Sequence, residues 1–133
     1  MTADRPSVLF LCIHNAGRSQ MALGWFRHLA DGRAVAYSGG SEPADAVNAI
    51  AAQAMAEVGI DISGESPQRW TDAQIVAADV VVTMGCGDSC PYVPGTRYDD
   101  WPIVDPAGLP IEQVRPIRDE IRDRVVDLLD ELG

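Results

Sequence analysis

The sequence predicts an α/β fold of three layers, a four-stranded parallel sheet with helices on both faces, as one domain over residues 1–133. Three observations carry this expectation. Short β-branched and aliphatic runs alternate with longer segments of helical composition, the pattern of βαβ units. A chain of 133 residues suits a single core, since chains of this size bury about two-thirds of their unfolded surface. Hydrophobic residues make up 47% and charged residues 23%, a balance that excludes disorder and collagen.

Taken in order, Ser7–Leu11 is an aliphatic run expected to form a buried strand, and Cys12–Gly17 a loop. A helix is expected from Ser19 to about Ala30, with Met21, Trp25 and Leu29 on one face. Val35–Ser38 is a second strand, ended by Gly39-Gly40. The alanine-rich stretch Asp45–Val58 is helical and stopped by Gly59. Thr71 caps a helix running to Ala78, and Asp79–Met84, with Val80-Val81-Val82 inside it, is the clearest strand. Arg97–Trp101 supplies a last, short strand. Ile111–Leu132 is a charged amphipathic helix whose regular part is expected to start at Pro116.

Ten basic residues, all of them arginine, oppose twenty acidic ones for a net charge of −10. Such a surface repels polyanions, so neither nucleic acid nor a membrane surface is expected as a partner. The apolar run Val8–Ile13 is far shorter than the ~20 residues of a spanning helix, and no basic segment of a secretory signal precedes it. A cytoplasmic monomer is therefore expected. Cys12, Cys86 and Cys90 are too few for a disulfide-stapled scaffold. In a reducing compartment they are buried hydrophobes, metal ligands or reactive thiols.

In open parallel sheets, ligands bind outside the carboxyl ends of the strands. Cys12 follows the first strand and Cys86 follows the Val80–Val82 strand, so the topology brings both to one edge. The stretch Cys12-Ile13-His14-Asn15-Ala16-Gly17-Arg18-Ser19 joins strand to helix. Such a loop can turn successive N–H groups inward around a tetrahedral anion, and the helix start adds unpaired donors. Arg18 adds a planar fork matched to two oxygens of an oxyanion. The same positive field would favour the thiolate of Cys12 and make it a nucleophile. Ser19 could donate to that thiolate, and Asn15 could brace the loop. The competing interpretation is a buried cysteine ending a core strand, with Arg18 solvated at the helix start.

Cys86-Gly87-Asp88-Ser89-Cys90 places two thiols four residues apart. In a helical segment their Cα atoms would lie about 6 Å apart, within the ~4.4–6.8 Å range of a disulfide. The alternatives are half of a zinc site completed by Cys12 and His14, whose Cys-x-His spacing is poor for structural zinc, and a pair of inert buried thiols.

The loop and its continuation Arg18-Ser19-Gln20-Met21-Ala22 resemble the low-molecular-weight tyrosine phosphatase superfamily, most closely its arsenate reductase branch. The resemblance extends through Ser38-Gly39-Gly40, Gly59-Ile60-Asp61-Ile62-Ser63, Thr83-Met84-Gly85-Cys86 and Trp101 to Asp105-Pro106. It implies a four-stranded parallel sheet and a general acid at Asp105, with Asp99 and Asp100 as local competitors. Phosphatases of this superfamily follow the equivalent proline with tyrosines that wall an aromatic phosphoester; here Ala107 and Gly108 follow. Some reductases of the branch bind potassium through a glutamate where this chain has Leu23, so no metal or organic cofactor is expected.

The resemblance further implies reduction of arsenate to arsenite, with phosphate or sulfate as competing oxyanions. Residues 13–19, that is Ile13, His14, Asn15, Ala16, Gly17, Arg18 and Ser19, would hold the anion while Cys12 attacks arsenic. Cys86 would then attack Cys12, Cys90 would attack Cys86, and thioredoxin or an equivalent dithiol would reset the enzyme. The two resolving cysteines are closer together here than is usual in that branch. Two rival functions use the same residues: a phosphotyrosine phosphatase needing only Cys12, Arg18 and Asp105, and a trithiol arsenite-binding protein without turnover. His14 is expected to be structural and His28 solvated. Trp25 is expected in the core, while Trp70 and Trp101 border the site or pack.

Overall fold

The computed structural model describes residues 5–85 and 95–132. Among the described residues, four strands and four helices follow one another as β1 (Ser7–Cys12), α1 (Arg18–Ala30), β2 (Val35–Gly40), α2 (Ala49–Ala56), α3 (Asp72–Ala77), β3 (Val80–Thr83), β4 (Arg97–Asp100) and α4 (Ile111–Leu132). The strands form one parallel sheet in the order β2-β1-β3-β4.

The central strands β1 and β3 are apolar at nearly every position because both faces are covered. Val8, Phe10 and Cys12 of β1, with Val80 and Val82 of β3, face the larger cluster, which includes Met21, Phe26, Met55, Ile121 and Val125 from α1, α2 and α4. Leu9, Leu11 and Val81 point the other way, onto Trp70, Ile75 and Ala78 around α3. Helix α4 buries Val114, Ile117, Ile121, Val125 and Leu128, three or four residues apart, in the larger cluster. All three tryptophans pack: Trp25 and Trp101 in the larger cluster and Trp70 in the smaller. Among the described residues, no helix is long and apolar enough to cross a membrane.

Three local features differ from expectation. Helix α2 starts at Ala49, not at residue 45, because Asn48 caps it and the preceding amides are drawn elsewhere. Strand β2 runs through Gly39 and Gly40 rather than ending there. At Gly40 a Cβ would press on the carbonyl of Ile13, so only glycine lets the cysteine loop lie this close to the sheet. Finally, α4 is already helical at Ile111, and Pro116 lies inside it on the exposed side. Its missing N–H frees only a carbonyl one turn back, near the helix start where water can serve it.

From β1 the chain moves outward to β2, then returns across β1 to β3. The connections thus leave in opposite directions at the carboxyl ends of β1 and β3, which opens a crevice there. Cys12, the last residue of β1, stands at its edge, and Met84 N–H reaches back to the Leu11 carbonyl at 2.7 Å.

Candidate active site

The loop from Cys12 to Gly17 is shaped from outside. The carbonyls of Cys12, Ile13, His14 and Ala16 accept from the amides of Ser41, Glu42, Ala44 and Asn48 at 3.3, 2.8, 3.0 and 2.8 Å. That of Gly17 accepts from Met21 N–H at 2.9 Å. In a planar trans peptide the carbonyl points away from the next residue's N–H. The amides of residues 13, 14, 15, 17 and 18 are therefore turned to the opposite side, the inside of the loop. Asn15 N–H, which lies 3.3 Å from Cys12 Sγ, reports this direction. Those of His14, Ala16, Gly17 and Arg18 meet no acceptor among the described residues. Helix α1 adds to this donor field: its Gly17 cap offers no side chain, and its first turn carries no acidic residue.

A directed chain of hydrogen bonds ends at the sulfur. Asn15 sits at φ 51°, a left-handed conformation that asparagine tolerates. Its Oδ1 accepts from Gln68 N–H at 3.0 Å and from Gln20 Nε2 at 3.2 Å, which fixes the amide's orientation. Asn15 Nδ2 then donates to Ser19 Oγ at 2.7 Å. The Ser19 hydroxyl in turn shares a hydrogen bond with Cys12 Sγ, 2.8 Å away. Cys12 Sγ is thus hydrogen-bonded both to Ser19 and to the Asn15 N–H of its own loop. The cysteine is 2% exposed.

Arg18 is 8% exposed, yet among the described residues its one side-chain hydrogen bond is to the Ile103 carbonyl at 3.3 Å. Asp105 Oδ2 stands 3.6 Å from its Nη2, beyond hydrogen-bond distance, while Asp105 Oδ1 accepts from Ala107 N–H at 3.0 Å. The competing carboxylates are engaged elsewhere: Asp99 pairs with Arg97 at 2.8 Å, and Asp100 accepts from Thr83 Oγ1 at 2.8 Å. Cys12, His14, Ala16, Gly17, Arg18, Asn48, Asp105 and Ala107 line one cleft of about 40 Å³, room for roughly three water-sized groups or a tetrahedral anion. A larger cavity of about 350 Å³ between α1 and residues 59–65 holds neither Cys12 nor Arg18.

The structure therefore brings Cys12, Arg18, Ser19 and Asp105 together with residues 13–17. His14 is exposed at the rim with Nδ1 3.0 Å from the Glu42 carbonyl, His28 is exposed on α1, and Leu23 is buried in the apolar core. Cys86 and Cys90 lie outside the described residues. Gly85, one residue before Cys86, lies against Arg18: it has φ 91°, and a Cβ there would run into the guanidinium. Sequence reasoning passed over Asn48, Gln20 and Gln68. An asparagine before an alanine-rich run signals a helix cap, but nothing local places that cap at the cleft.

Comparison with known proteins agrees with this geometry. Staphylococcus epidermidis arsenate reductase 2 is 38% identical over 126 residues, covering 92% of this chain and 95% of that protein. Among solved structures, the thioredoxin-dependent arsenate reductase of Corynebacterium glutamicum superposes with a TM-score of 0.86 at 38% identity; the match covers 99% of this chain but only 64% of that longer one. An arsenate reductase in its phosphate-binding state superposes with a TM-score of 0.85 at 34% identity, over 96% of this chain and 99% of that one. The model of the low molecular weight phosphotyrosine protein phosphatases matches residues 7–133, and the chain belongs to that family.

Proposed function

We propose that this protein is an arsenate reductase that passes oxidation from Cys12 to Cys86 to Cys90, with thioredoxin or an equivalent dithiol as reductant. The observation that carries the chemistry is the anion-sized cleft, in which Cys12 Sγ is hydrogen-bonded to Ser19 and to a loop amide and the buried Arg18 makes one side-chain hydrogen bond with the described residues. The reductase relatives favour arsenate, and the chain that follows β3 delivers Gly85 to Arg18 one residue before Cys86.

Arsenate sits among the loop amides and Arg18. The Cys12 thiolate attacks arsenic, forming a sulfur–arsenic bond, while Asp105 gives its proton to the departing oxygen, which leaves as water. The Cys86 thiolate then attacks Cys12 Sγ. The Cys12–Cys86 disulfide forms, the sulfur–arsenic bonding pair passes to arsenic, As(V) becomes As(III), and arsenite leaves. Cys90 attacks Cys86, which frees the Cys12 thiolate and moves the disulfide to Cys86–Cys90. A dithiol reduces that disulfide by exchange. Phosphate and sulfate share the tetrahedral shape and compete for the cleft. The protein works as a monomer in a reducing compartment, the cytoplasm.

Cys90→Ser tests the relay. With this variant, one arsenite per chain is expected in a single burst, followed by arrest with Cys12 joined to Cys86 in peptide maps. Sustained thioredoxin-driven turnover would overturn the three-cysteine scheme. A phosphatase is the second possible function, because the cleft needs only Cys12, Arg18 and Asp105 for phosphoester cleavage. In that case hydrolysis proceeds unchanged when Cys86 and Cys90 are both serine and no arsenite is released.

A further inference from the structure

Asn48 lines the same cleft as Cys12, Arg18 and Asp105, although it belongs to the start of α2 rather than to the loop. Its orientation follows from what it caps. Asn48 Oδ1 accepts from Ile50 N–H at 2.9 Å and from Ala51 N–H at 3.1 Å. Backbone amides can only donate, so the oxygen must face the helix and the Nδ2 group must face away from it. Nδ2 makes no hydrogen bond with the described residues. The residue's backbone is held in place as well, since Asn48 N–H donates to the Ala16 carbonyl at 2.8 Å. A half-buried amide with its acceptor end locked on a helix and its donor end free stands at the wall of a cleft built for an anion.

We infer that Asn48 is an oxyanion-binding residue, with Nδ2 donating to an oxygen of the bound arsenate from the wall contributed by α2. This rests on the proposed function, and it adds a side-chain donor to the loop amides and Arg18. It also explains why this helix is capped by asparagine. Serine and aspartate cap comparably well, but neither reaches the cleft with an N–H.

The cap and the donor can be separated by substitution. Asn48→Ser keeps a capping oxygen and removes the donor without adding charge. Asn48→Asp keeps the cap and replaces the donor with a carboxylate. The measurements are the Kd of inorganic phosphate, read by protection of Cys12 from alkylation, the KM for arsenate, and Tm. Asn48→Ser is expected to weaken phosphate binding and raise KM by about 10- to 100-fold with Tm and kcat nearly unchanged, the loss of one hydrogen bond to a charged group. Asn48→Asp should weaken binding further at unchanged Tm. A residue that only caps would leave Kd at the wild-type value in Asn48→Ser, and that result overturns the inference. If Asn48→Ser lowers Tm, Asn48→Asp decides: unchanged phosphate binding there is equally fatal. Failure of the wild-type protein to bind phosphate or arsenate at all would instead overturn the function on which the inference rests.

Discussion

Arg18 and Arg118 are each 8% exposed, and they do opposite things with their charge. Arg118 of α4 is paired through three hydrogen bonds. Its Nη1 donates to the Ala54 carbonyl and to Glu57 Oε1, both at 2.9 Å, and its Nε donates to Asp119 at 2.8 Å. These bonds, Asp119's first, hold its proton more firmly than usual and tie α4 to α2. Among the described residues, the Arg18 side chain has one long hydrogen bond and a carboxylate at 3.6 Å. Burying a cation without full pairing is unfavourable, so such a site lowers its free energy by taking up an anion from solution. Equal burial with unequal pairing thus sets the arginine proposed to bind the anion apart from the one that ties α4 to α2.

The comparison breaks most visibly by substitution of the arginines themselves. Arg18→Lys keeps the charge and loses the fork, and kcat/KM for arsenate is expected to fall by about 10²–10³-fold while stability changes little. Arg118→Met should do the reverse, lowering stability by about 1–3 kcal/mol through lost hydrogen bonds and leaving kcat/KM within about twofold. Steady-state kinetics beside urea unfolding of both variants checks the pair, and similar kinetic losses in the two would refute the distinction.

The carboxylate partners sharpen it. Asp105→Asn should lower kcat by about 10²-fold, at the low end for a general acid because its side chain is 48% exposed and water can substitute in part. A loss confined to KM would mean that Asp105 only steadies Arg18. The smallest effect is expected at Glu57, whose carboxyl is lowered from 4.5 to about 2, first by the hydrogen bond from Arg115 and then by that from Arg118, against the desolvation that would raise it. The folded protein keeps this group ionised while the unfolded chain takes up a proton near its ordinary value. Its stabilisation is therefore complete above about pH 4.5 and is lost as the pH falls toward 2. Urea midpoints of Glu57→Gln and wild type should differ at pH 7 and converge by about pH 2; a constant gap across that range would show that the charge is not what Arg115 and Arg118 use.

The sequence by itself determined the alternation of strands and helices, the apolar centres of β1 and β3, the bounds of α4, and Thr71 as the cap of α3. These follow from periodicity, chain direction and side-chain chemistry within a few residues. Loop residues Cys12 to Ser19 were legible for the same reason, because nucleophile, amides and arginine are contiguous. Only the tertiary structure decided that residues 45–48 are not helical, since the amides of Ala44 and Asn48 bond to the carbonyls of His14 and Ala16. It placed Asp105 at the cleft while Asp99 and Asp100 are engaged elsewhere, brought Asn48 there, and gave Arg118 more partners than Arg18 has among the described residues. Those outcomes depend on which donors and acceptors from distant segments reach one another, and a buried polar group takes its role from the partners that it finds or lacks.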